Sequence, residues 1–195
     1  MKIYDISQNI FKAKVYPGDP IPTKTIIKSI DNGDNYNLSS FSMCSHTGTH
    51  VDAPSHFIKG GKTIEEISLN KFVDDCYVFE VNEPITKKLV NNSFNIIESL
   101  NINKILIKGK GILTLEGAKA IKEMKIDLIG TELLSFGNDL DEEEIHKILL
   151  KSNIVLLEGI NLENVNTGKY FLNAAPLKLH GLEGAPCRAI LIEGL

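Results

Sequence analysis

Residues 45–56 constrain the fold of this 195-residue chain more than any other stretch. They read SHTGTHVDAPSH and contain three of the five histidines, with one aspartate, one glycine and one proline. His46 and His50 would share one face of a helix at this spacing. Gly48 and Pro54 disfavour a helix, because glycine is a poor helix former and proline keeps its predecessor out of the α region. The stretch therefore predicts a tight loop that folds two imidazoles and a carboxylate around one point.

Composition indicates a soluble globular protein without a nucleic-acid partner. Apolar residues make up 43% of the chain and charged residues 24%, and the formal net charge is −4. Because the net charge is negative and lysine and arginine do not cluster locally, the sequence predicts no basic surface that could bind nucleic acid. The sequence opens MKIYD and contains no apolar run of membrane-spanning length. We therefore expect a cytoplasmic protein with no membrane partner and a single domain over residues 1–195.

The three cysteines are Cys44, Cys76 and Cys187. Their odd number and the lack of a C-x-x-C pair favour reduced, buried thiols in a reducing compartment over disulfides. Cys44 adjoins the histidine stretch, so a ligand role is conceivable. Its apolar neighbours make a small buried hydrophobe the favoured interpretation.

Apolar periodicity predicts alternating strands and helices, and hence the fold class α/β (α+β). Strands are predicted at residues 2–6, 23–30, 37–43, 72–81, 104–107, 126–130 and 154–157, and helical segments at 63–66, within 84–100, at 114–124 and from 141 to about 151. The boxes Thr63 with Glu66 and Asp141 with Glu144 predict helix starts, as does a cap at Thr114. The strand–helix–strand order in the middle of the chain favours a βα unit in a mixed sheet.

A metal site is the favoured interpretation of His46, His50 and Asp52. Nitrogen and oxygen ligands without a thiolate suit zinc, manganese or iron(II). Histidines that serve only as surface or hydrogen-bonded residues of a loop remain the alternative.

Two further candidates lie far downstream. His146 shares a helix face with Leu149 and Leu150, and by itself this pattern is more typical of a satisfied core histidine than of a ligand. Glu158 ends an apolar strand, where a buried carboxylate needs a partner or a cation. An exposed strand end beside a turn is the alternative for Glu158.

The motif H-x-G-T-H-x-D-x-P-x-H at residues 46–56 resembles the signature of the cyclase family of metal-dependent hydrolases, which includes bacterial kynurenine formamidase and isatin hydrolase. Downstream, H-x2-LL followed by I-x-L-L-E-G resembles the second motif of that family, with the histidine and glutamate 12 positions apart. The resemblance implies five ligands of one or two divalent ions, zinc or manganese: His46, His50, Asp52, His146 and Glu158. It implies that His56 is the catalytic general acid/base.

The resemblance also implies an activity, a fold and an assembly. The activity is hydrolysis of a small amide, of formamide or lactam type and N-formylkynurenine-like, by a metal-activated water. The alternatives are a cyclase or lyase that stabilises an enolate at the same centre, and a non-catalytic metal-binding module. The implied fold is a β/β/α arrangement whose mixed sheet forms a barrel-like core with flanking helices, and the implied assembly is a homodimer or higher homo-oligomer.

In kynurenine formamidases, the stretch equivalent to residues 16–19 resembles W-P-G-D, and its tryptophan packs on the aryl substrate. Tyr16 stands at the position of that tryptophan. This chain contains no tryptophan. We expect Tyr16 to wall the pocket of a small-molecule substrate while offering a hydroxyl; a tyrosine that merely packs a loop is the alternative. His180 is expected in a loop without a role in the motif. Arg188 is expected to meet a substrate carboxylate or to form a buried ion pair.

Overall fold

Four parallel strands form the centre of the main sheet in the computed structural model, which describes residues 1–194. They are β5 (Val73–Glu80), β6 (Lys104–Lys108), β7 (Leu128–Thr131) and β8 (Val155–Glu158). Parallel strands require crossover connections, and here each crossover contains a helix. The helices are α1 (Lys87–Ser93), α2 (Ile96–Ser99), α3 (Leu115–Glu123) and α4 (Glu142–Lys151).

Antiparallel strands extend this centre on both sides. One side adds β9 (Gly168–Asn173), β11 (Ile190–Glu193) and β1 (Lys2–Asp5), and the other adds β4 (His50–Asp52) and β10 (Gly184–Pro186). Within the described residues, the nine strands form a mixed sheet that curls into a half-barrel. A hairpin of β2 (Thr23–Lys28) and β3 (Leu38–Ser42) stands apart from it. The predicted mixed, barrel-like sheet with flanking helices is confirmed.

Strand β6 shows why the central strands are almost continuously apolar. Ile105 and Ile107 pack in a core cluster with Ile121 of α3 and Leu149 of α4. Leu106 points to the opposite face and joins a second core cluster, because successive side chains of a strand alternate between faces. Both faces of the central strands are therefore covered.

Most predicted elements are present with small shifts of their ends. Helix α3 begins as expected, with the Thr114 hydroxyl accepting the Gly117 N–H at 3.1 Å, and the box of Thr63 with Glu66 is present. The predicted side-chain cap at Asp141 is wrong. Asp141 precedes α4, but its side chain makes no capping hydrogen bond.

Residues 45–56 were expected to be a loop throughout, and this is wrong for their central part. His50–Asp52 form β4, which is paired on both sides, with β8 and with β10. Isolated three-residue strands have no recognisable periodicity, so the pairing with distant strands decides the conformation of this segment.

All three cysteines are free; Cys76 is buried, whereas Cys44 and Cys187 are half-buried. Arg188 pairs with Asp5 through two contacts of 2.9 and 2.6 Å, but this pair is exposed, so the expected burial is wrong. Among helices of the described residues, none is long and apolar enough to cross a membrane. The single domain over residues 1–195 stays a prediction.

Candidate metal centre

Strand β4 brings the early and late motifs together. It lies between β8 and β10, and its register places His50 opposite Glu158 and Asp52 opposite Gly184. His50 and Asp52 are two residues apart on one strand, so their side chains leave the same face of the sheet. This face is where the imidazoles and carboxylates converge.

The first group of metal-ligating side chains contains His46, His50 and Asp52. The distance from His46 Nδ1 to Asp52 Oδ1 is 2.9 Å, and that from His50 Nε2 to the same oxygen is 3.4 Å. One candidate ligand atom from each residue lies within 4.8 Å of the others. The early motif thus forms a compact donor set of two nitrogens and one oxygen.

The second group contains Asp52, His146 and Glu158. His146 Nε2 lies 3.3 Å from Glu158 Oε1 and 3.7 Å from Asp52 Oδ2. Asp52 belongs to both groups, with one carboxylate oxygen facing each. The structure therefore brings all five predicted ligand residues into one cluster, although their role as ligands stays a prediction.

Backbone groups orient the side chains of this cluster from behind. His50 Nδ1 donates to the Gly48 carbonyl at 2.9 Å, and His146 Nδ1 donates to the Glu142 carbonyl at 2.8 Å. Each of these bonds holds the ring in the orientation in which Nε2 faces the cluster. The Phe136 N–H donates to Glu158 Oε1 at 3.1 Å.

The burial and donor chemistry of the cluster fit a divalent cation. Asp52, His146, His50 and Glu158 are only 0–3% exposed. Within residues 1–194, His50 Nε2 and Asp52 Oδ2 are buried and have no hydrogen-bond partner. Unpartnered buried polar atoms are rare and costly, and a set of imidazoles and carboxylates is typical of zinc or manganese sites.

The electrostatics of the cluster favour positive charge. Burial lowers the pKa of His146, but its hydrogen bond to Glu158 and the charges of Glu158 and Asp52 outweigh burial and raise that pKa to about 9. Burial raises the pKa of Asp52, but hydrogen bonds and charge from His46 and His50 hold it well below its usual range. The Asp52 carboxylate is thus ionised and stabilises a positive charge, which is also what a bound cation requires.

His56 lies at the edge of the cluster, in the single helical turn that follows β4. Its ring stacks on His46 with centroids 4.1 Å apart and meets the Phe57 ring edge-on at 4.4 Å. His56 is half-buried and belongs to neither ligand group found in the described residues. Burial is the main reason that the pKa of His56 lies below its usual value. The imidazole is therefore neutral at pH 7 and can accept a proton.

Tyr16 borders a cavity of about 750 Å³ beside the cluster. Its hydroxyl donates to Glu142 Oε2 at 2.9 Å, and Ser135 Oγ donates to Glu142 Oε1 at 3.0 Å. Ser135 Oγ also lies 3.5 Å from His146 Nε2, so the lining of the cavity reaches the second ligand group. The sequence motifs did not point to Ser135 or Glu142. Glu142 lies one helical turn before His146, and this spacing alone could have indicated that the two side chains are neighbours.

Arg188 and His180 lie outside this centre. Arg188 lines a separate groove of about 890 Å³, whose walls contain none of the six residues predicted as ligands or catalyst. His180 is a loop residue whose side chain is 98% exposed and lies 2.8 Å from Glu65. His180 is thus confirmed as a loop histidine.

Comparisons with known proteins agree with this geometry. A family model described as "putative cyclase" matches residues 4–138. Kynurenine formamidase from Salinibacter ruber is 30% identical over 98% of this chain and 97% of its own length. Cyclase-like protein 1 from Oryza sativa is 33% identical over 88% of this chain and 70% of its own length.

Solved structures extend the agreement to the fold. A protein described as a predicted metal-dependent hydrolase from Bacillus stearothermophilus has 32% identity and a TM-score of 0.78, with 97% of each chain covered. Isatin hydrolase A from Labrenzia aggregata has 22% identity and a TM-score of 0.83, covering 99% of this chain and 94% of its own, and supports the fold alone.

Fold and site together define a hydrolase whose centre is built to hold divalent metal. The chain belongs to the cyclase family.

Proposed function

We propose that this protein hydrolyses a small amide at a centre of one or two divalent cations. The ligands in this proposal are His46, His50, Asp52, His146 and Glu158. The main support for this proposal is the position of the Asp52 carboxylate. One of its oxygens contacts His46 and His50, and the other contacts His146. A carboxylate shared in this way suits a site for two neighbouring cations.

The proposed substrate is an N-formylkynurenine-like formamide or a related lactam. The support comes from relatives named kynurenine formamidase, which are 30% and 31% identical over nearly the whole chain. Tyr16 is proposed as a wall of the substrate pocket, because it borders the cavity next to His146 and presents a ring and a hydroxyl. An aromatic substrate would pack against that ring.

His56 is proposed as the general acid/base. A bound divalent cation supplies an acidic water and polarises the carbonyl oxygen of the substrate. His56, neutral and stacked on His46, accepts the proton of the attacking water. As oxygen adds to the carbonyl carbon and the C–N bond breaks, His56 returns that proton to the departing nitrogen. The products are a carboxylic acid and an amine.

A substrate panel tests this proposal. The purified protein is assayed with N-formylkynurenine, isatin and simple anilides, before and after treatment with a chelator, and its metal content is measured by elemental analysis. Zinc is the proposed metal, with manganese as the alternative. Cleavage of an amide that chelation abolishes and zinc restores is the expected result. Elimination or cyclisation without net addition of water would instead favour a lyase or cyclase.

We also propose a homodimer or higher oligomer that uses the hairpin of β2 and β3. Every residue of both strands is exposed, including Ile26, Ile27 and Phe41 at 66%, 52% and 63%. A two-stranded hairpin is marginally stable by itself, and its apolar side chains favour cover by a second copy. Light scattering at micromolar concentration should give at least twice the 21.6 kDa of the chain. A monomeric mass would refute the proposal.

The cytoplasm is the proposed location. The support is the three free cysteines, which suit a reducing compartment. Cell fractionation with an antibody to the protein tests it, and recovery in a secreted fraction would contradict it.

A further inference from the structure

Glu183 lies beside the cluster on the side of His46 that faces away from Asp52. Its Oε1 is 3.3 Å from His46 Nε2, whereas His46 Nδ1 is 2.9 Å from Asp52 Oδ1. The hydroxyl of Ser45 donates to the same Oε1 at 2.6 Å. The His46 ring is therefore placed between two carboxylates, one inside the ligand group and one outside it.

The backbone around Glu183 is fixed by the same strands that build the centre. The Glu183 carbonyl accepts the Ala53 N–H at 2.8 Å, and the next residue, Gly184, pairs with Asp52. A Cβ at Gly184 would lie 2.8 Å from His46 Cε1. Glycine at this position thus lets the His46 ring lie directly against β10.

The three histidines of the ligand groups differ in what holds the nitrogen that faces away from the cluster. For His50 and His146, a backbone carbonyl accepts the Nδ1 proton. His46 has the opposite orientation, with Nδ1 toward Asp52, and its Nε2 is buried without a hydrogen-bond partner in residues 1–194. A metal-binding imidazole keeps its proton on the other nitrogen, and that N–H normally donates to a carboxylate or a carbonyl.

We propose that Glu183 is a positioning residue for His46. Its carboxylate accepts the Nε2 proton of His46 and so fixes the tautomer and ring orientation in which Nδ1 faces the cation. The two atoms lie 3.3 Å apart without forming a hydrogen bond in the structure, and the proposal requires this bond to form when the cation binds. Ser45 holds the carboxylate in place. This inference rests on the proposed role of His46 as a ligand.

Zinc affinity, measured by competition with a chromophoric chelator, tests the proposal without an activity assay. Glu183→Ala should weaken zinc binding roughly 10- to 100-fold, as loss of such a partner does in other metal sites. Glu183→Gln keeps an acceptor without the charge and should lose less than Glu183→Ala. Glu163→Ala, which removes an exposed carboxylate elsewhere, is the matched control and should bind zinc like the wild type. Thermal unfolding of the metal-free variants checks that they fold.

A double-mutant cycle separates this inference from the proposed ligand set. Once His46→Ala has lost zinc affinity, adding Glu183→Ala should cause no further loss, because both changes act through one side chain. Wild-type affinity in Glu183→Ala, with affinity lost in His46→Ala, would overturn the role of Glu183 and leave the ligand set intact. Wild-type affinity in His46→Ala would overturn both.

Nitrogen-15 NMR of the imidazoles gives a readout that does not depend on any variant. The zinc-loaded wild type should show the His46 proton on Nε2, in contrast to His50 and His146, which carry theirs on Nδ1. A proton on Nδ1 of His46 would overturn the proposal.

Discussion

His50 on β4 lies directly opposite Glu158 on β8, and His50 Nε2 is 3.5 Å from Glu158 Oε2. This one antiparallel pair connects the early histidine motif to the late one. Asp52 leaves the same face two residues further along β4 and reaches His146. The cluster is therefore built mainly on β4 and β8, towards one side of the sheet, and on the N-terminal half of α4, which are rigid elements.

Replacement of His56 should separate catalysis from metal binding. We expect His56→Ala to retain its metal and to lose turnover by roughly 10²- to 10⁴-fold, because a general acid/base contributes that much. The assay is steady-state amide hydrolysis together with elemental analysis. His180→Ala is the matched control, since His180 is exposed and outside the cluster. Unchanged turnover in His56→Ala would remove this residue from the mechanism.

Loss of the shared carboxylate should remove metal. Asp52→Ala takes a ligand from both groups and should lose more metal than Glu158→Ala, which takes one from the second group only. Metal per chain is measured by elemental analysis after dialysis. Asp75→Ala, at a half-exposed position of β5 outside both groups, is the control and should keep its metal. Full retention in both cluster variants would count against Asp52 and Glu158 as ligands.

Metal removal should destabilise the fold, because buried carboxylates lose their counter-charge. Adding zinc to the chelated protein at 100 times its dissociation constant should raise the free energy of unfolding by about 2.7 kcal/mol. Thermal unfolding with and without zinc measures this. The shift should be absent in Asp52→Ala; an equal shift there would place the stabilising metal elsewhere.

Gly159 should be intolerant of a side chain because it touches the carbonyl that orients His50. Its φ is +64°, and a Cβ would lie 2.5 Å from the Gly48 oxygen, which accepts the His50 Nδ1 proton. Gly60→Ala is the matched control, since φ is +72° and nothing lies within 4 Å. Both variants should lose about 1–2 kcal/mol from the left-handed conformation. Gly159→Ala should lose a further ~1–3 kcal/mol from overpacking and should bind zinc more weakly.

Chemical denaturation of the two glycine variants measures these losses. Equal stability losses, with wild-type zinc affinity in both, would show that the contact between Gly159 and Gly48 does not matter for the centre.

The hydroxyl of Tyr16 should affect substrate binding more than chemistry. Tyr16→Phe keeps the ring but removes the hydrogen bond that holds it beside Glu142. Because the ring is then positioned less well against the substrate, KM should rise about 2- to 10-fold, the effect of one lost hydrogen bond, while kcat stays nearly constant. Tyr36→Phe, on an exposed residue outside the cavity, is the control. A fall in kcat at constant KM would assign Tyr16 to the chemical step instead.

The local elements were predictable wherever a pattern repeats over several residues. The apolar run of β6 and the cap at Thr114 show this, because burial and capping are read from neighbouring residues. The six candidate site residues were singled out from two short patterns that resemble those of a family, and the structure brings five of them into one cluster with His56 at its edge; their roles stay predictions. By contrast, the side-chain cap at Asp141 is absent. Its backbone has φ −114° and ψ −10° instead of the extended conformation of a capping residue, and its carboxylate accepts from the Asn138 side chain at 3.5 Å.

The sequence by itself determined which residue types form the cluster and that they occur in two separated motifs. Only the tertiary structure decided that His50 and Asp52 stand on a strand, and that Glu142 and Glu183 approach the centre from outside. A three-residue strand forms because β8 and β10 supply its hydrogen bonds, and both come from more than a hundred residues later in the chain. Such pairing leaves no local pattern, since its stability comes from partners that are distant in sequence.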